Sequence, residues 1–171
     1  MAYNEWVVEA CKRRGIQVND DGSLDVCFFG DNMAHVPDLD AGIRQQQHII
    51  DQQKDEQKEN EEIGKLMSVF HETVVSMSRM TVEELTIEKA ANFKTELLSV
   101  LEVMSRKRED LRKDGYERLK KVFKMVEKNN LPAANAASQA ALSRMRRRWL
   151  VNEKVIDKSL ARLEALKQLK N

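Results

Sequence analysis

The sequence predicts a mainly α fold, an elongated antiparallel helical bundle or coiled coil with a small N-terminal helix-plus-β-hairpin cap. Three observations carry that expectation. Charged residues make up 33% of the 171-residue chain and hydrophobic residues 42%, with only 2 Pro and 6 Gly, which favours long helices with ionised faces over disorder. Apolar residues recur at alternating steps of four and three, as in Ile63, Met67, Phe70, Val74 and Met77. Period-two alternation, the mark of strands, appears near the N-terminus between Ile16 and Phe28.

Residues 1–37 form the expected cap. Asn4 can cap a helix over Glu5–Arg14, whose basic end, Lys12 to Arg14, suits the helix dipole, and Gly15 follows as a left-handed stop. Ile16 and Val18 then alternate. Asn19-Asp20-Asp21-Gly22 is a turn, and Leu24, Val26 and Phe28 alternate again up to Gly30, giving a hairpin too small to be stable alone. Asn32 to Pro37 reads as a linker.

Residues 38–80 read as one long helix beginning at Asp38 or Asp40. Between Asp51 and Glu62 it carries no apolar residue, so this part is a solvated spacer or a frayed linker. Residues 81–130 form the next helical segment, opened by the capping box Thr81-Val82-Glu83-Glu84 and bent or broken around Lys113-Asp114-Gly115. Asn129-Asn130 ends it. Residues 131–171 form a basic C-terminal helix starting near Pro132, with a stripe of Ala137, Ala141, Met145, Trp149, Asn152, Ile156, Leu160/Leu163 and Leu166. A polar seam residue such as Asn152 can fix register or oligomer state.

The net charge of +1 hides two opposed halves. Met1–Ser105 holds 10 Lys+Arg against 20 Asp+Glu, and Arg106–Asn171 holds 19 against 8, so the halves carry −10 and +11. They either fold against each other, associate head to tail, or leave the basic half to meet an anion. The densest point is Arg144, Arg146, Arg147 and Arg148 with Trp149, followed by Lys154 and Lys158. Like charges this close repel unless neutralised, by a nucleic-acid backbone or by the acidic segment 51–62. Trp149, on the apolar stripe, is a core anchor before it is a stacking platform.

Catalytic and metal chemistry find little purchase. Aligning Gly22 with the sixth position of a calcium loop puts Gln17 first and Phe28 twelfth, which forfeits the bidentate carboxylate. Cys11, Cys27, His35 and His48 lack zinc-site spacing, and His71-Glu72 lacks a second histidine four residues after the first. There is no phosphate-binding glycine loop, so neither enzyme activity, cofactor nor metal is expected. Two cysteines without a signal peptide suggest reduced thiols and a cytoplasmic setting, in a host cell if the source is viral, and no apolar run suits a membrane.

The expected function is therefore a non-enzymatic, homo-oligomeric assembly or adaptor protein whose basic C-terminal helix binds DNA, RNA or an acidic partner. In layout the chain is similar to small DNA-packaging (terminase) subunits and scaffolding proteins of tailed phages, which also join a small N-terminal module to an oligomerising helical pair and a charged tail. That likeness is architectural and assigns no residue a role. The alternative is a helical protein-interaction module, a regulator or inhibitor using the acidic helix 51–62 or the Trp6/Phe28/Phe29 cap and binding no nucleic acid.

Overall fold

In the computed structural model, which describes residues 3–28 and 32–170, the chain runs α1 (Glu5–Arg13), β1 (Ile16–Val18), β2 (Leu24–Cys27), β3 (Met33–Val36), α2 (Leu39–Ser78), α3 (Ile87–Ser105), α4 (Glu109–Glu127) and α5 (Leu131–Lys170). It is mainly α, with long helices packed on one another. Two compact units result, Met1–Asp55 with Val151–Asn171, and Glu56–Leu150. Helices α2 and α5 contribute a stretch to each.

The first unit contains the cap. The Asn4 side chain accepts from the Trp6 amide at 2.9 Å to start α1, and Gly15 stops it with φ of 80°. The sheet is antiparallel in the order β1-β2-β3, with Ile16 opposite Val26 and Leu24 opposite Val36. The segment expected as a linker, Asn32 to Pro37, therefore holds a third strand. Its four residues are too few for alternation to stand out, and it is the ladder to β2 that makes them a strand. Phe29 and Gly30, where the second strand is expected to end, lie outside the described residues.

Cys11, Ile16, Leu24, Val26 and Val36 pack with Ala165, Leu166 and Leu169 of α5. Asp38 caps α2 by accepting from the Ala41 amide at 2.8 Å. Gly42 lets that helix close on the sheet, since a β-carbon there would sit 3.5 Å from both Leu24 and Val36. Gln46 is fully buried and donates to the Cys27 carbonyl at 3.0 Å, tying α2 to β2. Asn152, the expected polar seam residue, is buried and donates to Gln53 Oε1 at 2.8 Å. The polar start of α2 is thus partly interior, with the Gln46 and Gln53 side chains each held there by a hydrogen bond. Neither cysteine is in a disulfide, and burial pushes the Cys11 thiol up while Arg14 opposes.

The second unit is a four-helix core. Ile63, Met67, Phe70, Val74 and Met77 of α2 meet Leu97, Val100, Leu101 and Met104 of α3, Leu111, Leu119, Val122 and Val126 of α4, and Ala134, Ala141, Leu142 and Met145 of α5. The expected 81–130 segment is two helices, and its break lies at residues 106–108 rather than at Gly115. Gly115 sits inside α4 because a neighbour crosses closely there: its β-carbon would stand 3.0 Å from the Met67 sulfur. The Thr81 capping box does form, with Glu84 N–H donating to Thr81 Oγ1 at 3.1 Å, but it closes one turn only. Thr86 is the cap that starts α3, accepting from the Lys89 amide. On α5 the expected stripe holds except at Leu160, which is 42% exposed.

Candidate functional site

The arginine cluster belongs to the helical unit, and its members do different things. Arg144 Nε lies 2.7 Å from Asp114 Oδ2 on α4. Burial raises the Asp114 carboxyl, but hydrogen bonds from Arg144 and Arg118 outweigh it and hold the group below its usual range. Arg148 is half-buried and donates to the carbonyls of Leu111 and Asp110, at 2.9 and 3.4 Å. These two arginines, one turn apart, fasten α5 to the first turns of α4. Arg146 and Arg147 are exposed and make no hydrogen bond or ion pair with a described residue. Arg146 edges a groove of about 400 Å³ lined by Lys65, Val69, Glu72, Met145 and Trp149. Trp149 is half-buried there, neither fully core nor a free platform.

The acidic stretch of α2 within this unit has other cations. Glu56, Glu59 and Glu62, spaced by three, face the α3–α4 corner. Arg108 Nη2 is 3.5 Å from Glu56, the Arg108 amide donates to Glu59 at 3.3 Å, and Lys107 Nζ is 2.8 Å from Glu62. The hydrogen bond from Lys107 lowers the Glu62 carboxyl and raises the Lys107 ammonium. Arg108 also pairs with Asp110 at 2.6 Å, which helps fix the corner. Among the described residues of this unit, no ion pair joins the arginine cluster to Glu56–Glu62.

Lys154 and Lys158 lie in the other unit. Both are exposed, and with Phe28, Val151, Val155 and Arg162 they line a groove of about 270 Å³. Arg162 was not among the expected site residues, because in Leu160-Ala161-Arg162-Leu163 it reads as an exposed charge on a leucine seam. It is instead buried, with Nε donating to the Arg14 carbonyl at 3.0 Å. Its signal was the spacing of 154, 158 and 162, one helical face.

His71 of α2 shares a 2.6 Å hydrogen bond with Ser138 Oγ of α5. Burial lowers the imidazole below its usual 6.5, helped by Arg146 and opposed by Gln139 and Glu72. The unfolded chain therefore takes up this proton first as pH falls, so stability drops from about pH 6.5 downward. Replacing His71 by Gln should flatten the change in denaturation midpoint between pH 7.5 and 5.5, and an unchanged slope would remove His71 as its source. The lowered carboxylates Glu62, Asp110 and Asp114 act separately, below their ordinary values near 4.

Among the described residues no group of three or more His, Cys, Asp or Glu side chains is placed to hold a metal, and no helix is long and apolar enough to cross a membrane. Comparison with protein-family models, with curated proteins and with solved structures finds no match.

Proposed function

We propose that this chain is a non-enzymatic assembly or adaptor protein that self-associates through its helices and binds a polyanion, nucleic acid foremost, through the basic C-terminal helix. The observation that carries this reading is the division of labour in the arginine cluster. Arg144 and Arg148 are engaged with α4, while Arg146 and Arg147 stay exposed on the helix so held and make no ion pair with a described residue. Phosphate contacts need cations of this kind, exposed on an anchored helix and not already tied up in an ion pair. Self-association is supported by apolar side chains left in water, Val82 and Ile87 at 92% exposure and Leu98 at 50%. Phage DNA packaging or scaffolding is the most specific form of the proposal.

The test is retardation of a short duplex DNA across a salt series, with molar mass measured by light scattering. Replacing Arg146 and Arg147 by Gln should weaken binding on the order of tenfold at low salt and reduce the slope of log K against log salt by about 1.8, two phosphate contacts' worth. The same change at Arg144 and Arg148 should cost stability as well. Wild-type protein that retards no nucleic acid at low salt sinks the proposal.

Trp6, 73% exposed on α1, supports a second reading as a protein-interaction module. A monomer that captures one protein stoichiometrically and ignores DNA would favour it. No catalytic role is proposed for the Ser138–His71 contact, because Ser138 is 1% exposed and offers no open face to a substrate.

A further inference from the structure

Lys154, Lys158 and Arg162 stand at i, i+4 and i+8 on α5, rising along one face in steps of about 6 Å. Val151 and Val155 flank them, Phe28 completes the groove, and no carboxylate is among its described lining residues. Like charges at this spacing repel. Arg162 sharpens the problem, since it is 7% exposed and a desolvated charge is ordinarily paired. Its one described hydrogen bond runs from Nε to the neutral Arg14 carbonyl. A guanidinium has five N–H donors, so its terminal fork is left over. Arg162 is nonetheless one of the residues that line the groove, so part of its side chain faces it. The described lining of the site thus offers a guanidinium held at Nε, two exposed ammonium groups and an aromatic ring, and no carboxylate.

We infer that this groove is a phosphate-binding subsite for single-stranded nucleic acid. Arg162 takes a backbone phosphate on its fork, Lys158 and Lys154 follow the strand along the helix, and Phe28 meets a base or sugar. A nucleic-acid strand offers an anionic group and a flat apolar face in every unit, which matches a row of cations beside an aromatic ring. An acidic peptide supplies the charge without the flat face. The inference rests on the polyanion reading but concerns a different unit of the chain from Arg146 and Arg147.

The experiment is fluorescence anisotropy of a labelled ten-residue oligothymidylate with the full chain over a salt series. The double change Lys154→Gln and Lys158→Gln touches only exposed side chains and should leave thermal unfolding unchanged. It should weaken binding on the order of tenfold and lower the salt slope by about 1.4, two contacts on a single strand. Arg162→Lys should weaken binding while thermal unfolding stays cooperative, and Phe28→Leu should weaken it without changing the slope. Inorganic phosphate should compete only at high concentration. An unchanged slope in the double variant overturns the inference even if duplex DNA still binds through Arg146 and Arg147. Displacement by hexaglutamate as readily as by unlabelled oligonucleotide, with Phe28→Leu without effect, assigns the groove to an acidic peptide and overturns it too. If wild-type protein binds neither DNA form, the polyanion reading itself falls.

Discussion

Replacing Phe70 by Ala is expected to cost about 3–5 kcal/mol, the largest loss from any single truncation in the helical unit. Phe70 is fully buried at 0% exposure, at the middle of the α2 stripe, within a core to which four helices contribute. Removing the ring withdraws apolar surface from its favourable environment and leaves a cavity that only partial relaxation can close. Neighbours such as Met67 can move into some of the space, which argues for the lower half of that range. A domain of this size has only about 5–15 kcal/mol of net stability, so the loss is a large fraction of it. Chemical denaturation should show a lower midpoint with an unchanged m-value. Val82→Ala is the control, because Val82 is 92% exposed and should shift stability by less than about 0.5 kcal/mol. A Phe70→Ala loss below about 1 kcal/mol would mean that the stripe does not form the core.

That stripe was legible in the sequence because helical periodicity reports directly which face is buried. Features set by contacts distant in sequence were not. Gly115 looks like a helix breaker, yet it lies inside α4, since its missing side chain makes room for Met67. The four residues of β3 become a strand through their ladder to β2. The acidic run of α2 announced a need for cations without naming them. The structure supplies Lys107 and Arg108, at the corner between α3 and α4, for Glu56, Glu59 and Glu62, and not the arginines of α5 that the sequence suggested. Within the candidate site, Lys154 and Lys158 were visible as exposed charges. Arg162 was not, because its burial depends on α1 and Gly15, about 150 positions away in sequence.

The two left-handed glycines of the cap separate backbone strain from packing in a single comparison. Gly15 and Gly22 have φ of 80° and 88°, a region that costs a residue with a β-carbon about 1–2 kcal/mol. At Gly22 a β-carbon meets nothing within 4 Å, so Gly22→Ala should lose that amount and no more. At Gly15 it would stand 2.9 Å from the Cys27 β-carbon, closer than two such atoms can settle. Cys27 cannot easily retreat, because its amide donates to the Gly15 carbonyl at 2.9 Å. Gly15→Ala should therefore lose a further 1–3 kcal/mol or so from overpacking. The same β-carbon would lie 3.9 Å from Arg162 Nε, next to the carbonyl that anchors the guanidinium. Any shift that relieves the clash with Cys27 is thus transmitted to the groove. Gly15→Ala should weaken oligothymidylate binding under conditions where the protein remains folded, and Gly22→Ala should leave it unchanged. Equal stability losses at the two positions would show that the contact between Gly15 and Cys27 is not tight, and Arg162 would then lose its fixed seat.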